Sequence, residues 1–485
     1  MIDVSRKTTK KLNTTLLMST VFTTLCIGTS AIAADTQTST ALAKEIAALQ
    51  QQITDLNKKI QGLEISQTTS AAQAKEAAIL AAKQETAAAQ AKTTPTPWVK
   101  GPDGYISVPG SNTAIKLGGR VRVEGEYDAG PSMGDYIVPG SIPLKNVNNQ
   151  ASQSGNTNAH ARSSRLSFES LTPTASIGDV KTRIEIDFFN GGTGGSYLPK
   201  LRHAYGDAAG FLVGQTDSVF VDMTTLGSNI DYNGILGGVN RQAQVRYTMD
   251  MTPAFKFAAA LEKPASDYIG SDGTLYTSND SSNSKGKSSL PDLTAMLKYS
   301  GKSGFVTLRG MARQIQYRSL TDGASYNTAN DFSAKATAWG VGLSGKFITV
   351  GKSAFYAQLN TGQGVGRYIP EIAGEAAYFN PSTKQFNVLK ANNALVGYEH
   401  YWTDDIRTNI QASYTRVSPP APAGMTPLTG TTRITQKIKK VFFNIFYTPV
   451  KNVETGLEFA HIRRDTVDNK TGSGNRVAVM VSYNF

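Results

Sequence analysis

The chain closes on NRVAVMVSYNF, Asn475 to Phe485, in which Val477, Val479, Val481, Tyr483 and Phe485 alternate strictly with Arg476, Ala478, Met480, Ser482 and Asn484. Successive side chains on a strand point to opposite faces, so this stretch is one strand with a single apolar face and the length to cross a bilayer. A soluble strand has no packing reason to leave an aromatic residue at the carboxyl terminus. One such strand decides nothing unless the rest of the chain repeats it.

It repeats from Ala114 onward. Ile115, Leu117, Val121, Val123 and Tyr127 alternate with Lys116, Arg120, Arg122, Glu124 and Glu126. Ile184, Ile186 and Phe188 face away from Arg183, Glu185 and Asp187, and Ile406, Ile410 and Tyr414 away from Arg407, Asn409 and Gln411. With weaker stretches included, about sixteen strands are expected. Their connectors alternate between short (residues 172–178, 208–210, 249–253, 300–304, 348–351, 403–405, 448–452) and long (129–159, 190–197, 217–240, 264–289, 318–334, 363–387, 418–433, 464–474). Tight turns at one end and long loops at the other are the pattern of an outer-membrane barrel, and a soluble sandwich lacks it. The expected fold is all-β: a transmembrane antiparallel barrel over residues 114–485 whose last strand pairs with its first. Aromatic residues at strand ends, Tyr127, Tyr247, Tyr299, Tyr401, Trp402, Tyr414 and Tyr447, fit interfacial girdles.

The other end of the chain assigns the compartment. Arg6, Lys7, Lys10 and Lys11 precede an apolar stretch from Leu12 to Ile27, and Ala31-Ile32-Ala33 supplies a small-x-small cleavage site. Residues 1–33 therefore read as a secretory signal peptide with the mature chain starting at Ala34. Cys26, the one cysteine, leaves with it. Thiol chemistry and Cys-ligated zinc are excluded from the mature protein.

Residues 34–92 read as a helical, periplasmic segment. Leu42, Ile46, Leu49, Ile53, Leu56, Ile60 and Leu63 recur at spacings of four and three, the seam of a coiled coil with Ile at a and Leu at d. That core by itself favours a dimer. Residues 93–113 form a Pro/Gly-rich linker, stiffened by Thr93-Thr94-Pro95-Thr96-Pro97.

A barrel of about sixteen strands leaves an aqueous lumen, and what lines it sets its function. Parity places Lys116, Arg120, Arg122, Arg165, Arg183, Arg202, Arg246, Arg309, Arg313, Arg407 and Arg476 inward, mixed with Glu124, Glu126, Glu169, Glu185, Asp187, Glu262, Glu454 and Glu458. The net charge of +12 matters by its placement along the strands, since an exported chain rarely meets nucleic acid. Guanidinium groups grip carboxylates through two parallel hydrogen bonds and stay charged, so an anion-preferring pore is expected. The connector Asp217–Asn240 is too apolar for an exposed loop: Phe220, Val221, Met223, Leu226, Ile230, Ile235 and Leu236 need burial. It is expected to fold inward as the constriction, with Asp217, Asp222 and Asp231 opposite the arginines.

ISVPGSNTAIKLGGRV, Ile106 to Val121, follows the coiled coil and Pro-rich spacer and opens the barrel. With Gly118-Gly119, the GQTDSVFVD segment from Gly214 to Asp222 and the terminal Phe485, the chain resembles the DcaP-type outer-membrane porins of Gram-negative bacteria over essentially its whole mature length. The resemblance implies a trimer of barrels, a periplasmic N-terminal coiled coil, and diffusion of small anions, notably dicarboxylates. By matching position, Arg120 and Arg122 are lumen arginines. The dimer-favouring seam departs from the trimer so implied.

A sugar-selective porin would want an aromatic ladder in the lumen, whereas most aromatics here fall on the lipid parity; a barrel-anchored tether to the cell wall would need only the helix and an anchor. His160, His203, His400 and His461 are scattered over different strands and most read as surface or rim residues, so no enzymatic constellation and no metal or cofactor site is expected. The partners expected are outer-membrane lipid and lipopolysaccharide, the barrel assembly machinery, other copies of the chain and peptidoglycan.

Overall fold

The structure, a computed structural model, describes residues 36–91, 104–147, 155–190, 197–236, 240–270, 275–276, 288–318, 333–372, 374–380, 382–418 and 434–485. The signal-peptide assignment, most of the linker and the tips of several connectors lie outside them. The chain divides into two compact units, residues 1–94 and 95–485. In the first, Thr36–Ala91 is one continuous helix of 56 residues. Its described seam residues, Ile46, Leu49, Ile53, Leu56, Ile60 and Leu63, are all exposed in the single chain. The side chain of Leu42 lies outside the described residues.

The second unit is a barrel. Its strands are β1 (Ala114–Asp128), β2 (Asn156–His160 continued by Arg165–Thr174), β3 (Gly178–Asn190), β4 (Leu198–Ala208), β5 (Phe211–Asp217), β6 (Arg241–Asp250), β7 (Phe255–Glu262) and β8 (Asp292–Gly301). The second half comprises β9 (Gly304–Arg318), β10 (Ser333–Ile348), β11 (Ala354–Gln363), β12 (Lys390–Tyr401), β13 (Ile406–Ser418), β14 (Thr435–Val450), β15 (Val453–Thr466) and β16 (Thr471–Asn484). Each pairs antiparallel with its neighbours, and β16 closes on β1 from Arg120↔Asn484 to Asp128↔Arg476, giving a closed barrel of 16 strands. Closure satisfies every strand's backbone, as hydrocarbon demands.

The alternation seen in the sequence is the in-out alternation of the barrel. On β1, Leu117, Val121, Val123 and Tyr127 are exposed while Arg122, Glu124, Glu126 and Asp128 are buried. On β16, Val477, Val479, Val481 and Tyr483 face outward and Arg476 inward. At the seam, Phe485 N–H donates to Gly119 O at 3.0 Å and Gly119 N–H to Phe485 O at 3.1 Å. A Cβ at position 119 would meet the Phe485 ring and the Arg165 carbonyl, so this closure needs glycine there.

Seven connectors are tight turns, at 175–177, 209–210, 251–254, 302–303, 349–353, 402–405 and 451–452, all at one end of the barrel. At the other end, 464–474 departs from the long loop expected. β15 and β16 pair out to Asp465↔Thr471 and leave only 467–470, because Arg463, Arg464 and Asp465 continue the ladder despite their charge. Two long loops also build a sheet of their own from Tyr268–Ile269, Leu275–Tyr276, Ala377–Asn380 and Gln385–Val388.

Candidate functional site

The lumen has two unlike walls. Over β9 to β16 the inward side chains include Tyr356, Leu395, Phe442, Phe446, Ala460 and Ile462, all buried. Residues 218–236 of the long connector lie against them: Ile235 and Leu236 pack with Tyr356, Leu395, Phe442 and Ile462, and Ile230 with Phe446. Residues 133–142 and 365–372 add Met133, Ile137, Ile142, Val365, Tyr368 and Ile372 to this filling.

A loop carried into a lumen must have its backbone polar groups paired, and the wall does this residue by residue. Glu458 accepts from Ile230 N and Asp231 N, both at 2.9 Å. Asn409, Gln411 and Asn444 donate to Ser228 O at 3.0, 3.3 and 2.8 Å. Gln358 donates to Asp222 O at 2.8 Å, Arg122 to Ile230 O at 2.5 Å, Arg309 to Phe220 O and Lys440 to Ile235 O.

Those bonds decide where several of the inward cations sit. Arg309 is 2% exposed and spends its guanidinium on Phe220 O and Asn360. Arg313 is held by Asp267 at 2.8 Å and Ala265 O at 2.7 Å. Arg407 bonds Glu454 at 2.7 Å and Ser228 Oγ at 3.2 Å. Arg476 forks onto Asp128 at 2.8 and 2.9 Å and reaches Asp231 at 3.5 Å. Arg122 pairs with Glu124 at 2.5 Å. These five are buried or nearly so beneath the loops.

Over β1 to β6 part of the wall stays open to water. Lys116, Arg120, Arg165, Arg183, Tyr205 and Arg246 all keep exposed surface there, with the side chain of Arg165 27% and that of Arg183 36% accessible. Arg183 pairs with Glu169 at 3.2 Å and Glu185 at 2.6 Å, and Arg202 with Glu185 at 2.7 Å and Asp187 at 2.6 Å. Arg165 stands 3.8 Å from Glu185, which is already shared. Arg120 donates Nε to Ser163 O at 3.0 Å; the charges acting on it are Arg165, Arg122 and Arg202, opposed by Glu124. The Nε of Arg246 is buried with no hydrogen-bond partner.

The loop aspartates hold the loop's shape. Asp217 pairs with Arg241 at 2.8 Å, and Asp222 caps the turn Met223–Thr225 while accepting from Ser344 at 2.5 Å. Asp231 accepts from Ile137 N at 2.8 Å and from Gly234 N at 3.0 Å, and burial drives its carboxyl up to about 7 despite Arg476. Glu375, buried beside Thr435 N at 2.9 Å, is likewise pushed to about 7 by burial.

Of the four histidines, most of which the sequence places at the surface or rim, two are inside. His203 bonds Thr216 at 2.9 Å on the lumen side, and His160 lies buried 3.3 Å from Glu126 and 3.7 Å from Glu124. A bulge in β4 at Arg202 resets the parity that the sequence suggested for its neighbours. Glu124, Glu126 and His160 are the one group among the described residues with metal-ligand spacing. Arg122 already pairs with Glu124, Arg476 stands 3.5 Å from Glu126, and His160 Nε2 contacts Asp135 O at 2.9 Å, so two arginines compensate the carboxylates and the cluster ties the first loop to the wall.

A closed barrel of sixteen strands, apolar outside and charged within, with a loop drawn into its lumen, is an outer-membrane channel of the porin class. The DcaP outer membrane protein family matches residues 25–485, and the chain belongs to that family. Among solved structures, the outer membrane channel DcaP of Acinetobacter baumannii is similar in fold, with a TM-score of 0.63 and 22% identity over 77% of this chain and 97% of that one. An anion-selective porin from Comamonas acidovorans lies further off, with a TM-score of 0.47 and 10% identity over 77% of this chain and 100% of that one. Comparison with curated proteins yields no match.

Proposed function

We propose that the channel passes small organic anions in preference to cations, dicarboxylates among them. The observation that carries this is the one wall left to water, where Arg120, Arg165 and Arg246 exceed the carboxylates able to neutralise them. Low-dielectric walls focus that surplus into the aqueous path, and paired guanidinium groups suit a solute with two carboxylates. The reading extends to the whole chain: residues 1–33 direct export, the helix Thr36–Ala91 stands in the periplasm, and its uncovered Ile/Leu seam joins copies of the chain, with three barrels assembled in the membrane. Peptidoglycan, the assembly machinery and lipopolysaccharide are its surroundings there.

The test is the reversal potential of the purified channel in a planar bilayer under a salt gradient. Anion selectivity is expected, moving toward the cation side in Arg120→Ala/Arg165→Ala; cation selectivity in the unmodified protein would overturn the reading.

A further inference from the structure

The outward face of the barrel is not uniformly apolar. At the long-loop ends of β1 to β4 it carries Tyr127, Thr157, Phe188 and Leu201. At the long-loop ends of β13, β14 and β15 it carries instead Arg416, Lys437, Lys439 and Arg463. Arg416 pairs in register with Lys437, Tyr414 with Lys439, and Lys439 with Arg463. Adjacent strands lie about 4.8 Å apart, so the four cations share a patch about 10 Å across. One carboxylate shares that face: Asp465 accepts from Arg463 Nε at 3.0 Å. Arg416, Lys437 and Lys439 have no ion-pair partner among the described residues.

Beside the patch, on β10 to β13 and in register with it, the same face opens into a groove of about 340 Å³ whose apolar lining is Val341, Leu343, Leu359, Ala394 and Tyr414. Asn360, Thr361, Asn392 and Asn393 complete its lining, with Thr361 donating to Asn392 at 2.7 Å and Asn360 to Asn393 at 3.0 Å. Tyr414 belongs to both features, two residues along β13 from Arg416 and opposite Lys439.

We propose that this face is a binding site for a phosphorylated glycolipid of the outer leaflet, the lipid A end of lipopolysaccharide, with its phosphates on Arg416, Lys437, Lys439 and Arg463 and one acyl chain in the groove. The proposal rests on the outer-membrane reading, which turns the long loops outward. Charge complementarity and the adjoining apolar groove select this occupant. A second copy of the chain seated here would bury four cations against a single carboxylate, a heavy desolvation cost.

The experiment uses the full chain in vesicles of zwitterionic phospholipid doped with lipid A or, separately, with phosphatidylglycerol, and counts retained lipid by native mass spectrometry. The unmodified protein is expected to retain lipid A selectively. Arg416→Gln/Lys439→Gln should weaken retention about 25-fold, each cation near the surface contributing about fivefold. Ala394→Trp, which fills the groove and leaves the charges, should weaken it as well. Undiminished retention by either variant, or equal retention of phosphatidylglycerol, overturns the proposal. Conductance of the same preparations in glycolipid-free bilayers is measured in parallel, so a failure of the channel reading is distinguishable from a failure of the lipid site.

Discussion

The two walls of the lumen are built from the same strand geometry and used in opposite ways. Over β1 to β6 the inward Lys116, Arg120, Arg165, Arg183 and Arg246 keep contact with water beside carboxylates that are largely buried. Over β9 to β16 aromatic, aliphatic and amide side chains join the inward charges, and residues 218–236 cover them. An inward arginine therefore means different things on the two walls. Arg165 has a side chain that solutes can reach, whereas Arg309 is a hydrogen-bond donor to a buried carbonyl. Charge that is already partnered and desolvated contributes little field to a pore.

The comparison breaks most visibly if its cover is removed. Deleting residues 219–236 should raise single-channel conductance several-fold and blunt ion selectivity, because the far wall would then be wet; an unchanged conductance would mean that the loop does not narrow the path. Next in size, Glu458→Ala leaves Ile230 N and Asp231 N without their acceptor, at a cost of about 1–3 kcal/mol for each unpaired group. The expected result is a folded barrel with flickering conductance and a loop open to protease.

A contrast of substitutions sharpens the difference between walls. Arg165→Ala should shift the reversal potential, while Arg313→Ala, which leaves Asp267 and Asp292 only Arg367 of their two guanidinium partners, should lower thermal stability and leave selectivity nearly as it was. Selectivity shifts of equal size would erase the distinction.

The smallest effect is that of pH. A carboxyl whose folded pKa lies above its unfolded value favours the docked loop fully below about pH 4 and loses that contribution as pH rises through about 7. Asp231, facing Arg476, Glu458 and Glu126, behaves in this way, as does Glu375 beside Arg464. Hydrogen exchange of the loop amides should slow as pH falls from 7 to 5 after correction for intrinsic rates, and Asp231→Asn should flatten the trend.

How much of this the sequence carried follows from the same comparison. Strand alternation is a property of single strands in a bilayer, so β1 and β16 were legible residue by residue, as was the closure between them. The apolar content of 217–240 also announced that the loop turns inward. Its landing place was marked too, in Val441-Phe-Phe-Asn-Ile-Phe-Tyr447, a strand apolar on both faces. Phe442 and Phe446 on the inward parity had no reason to exist in a water-filled pore. What alternation does not encode is which inward cations are spent on loop carbonyls, since Arg309 and Phe220 lie 89 residues apart in the chain. Nor does it show a bulge such as that at Arg202, or a ladder that runs on through charged residues to Thr466.

The anchors of the inturned loop also order its assembly in time. Asp222 waits for Ser344, 122 residues later, Ile235 for Lys440, 205 later, and Ile230 for Glu458, 228 later. Contacts of such separation form late, after the entropy of closing long chain segments has been met. Until β14 to β16 arrive, Phe220, Ile230 and Ile235 have no wall to cover them, so a nascent chain carries a sticky segment that its own unfinished sheet cannot bury. The narrowing of this lumen is accordingly among the last events of its biogenesis, and any factor that escorts the chain must shield that loop as well as the strands.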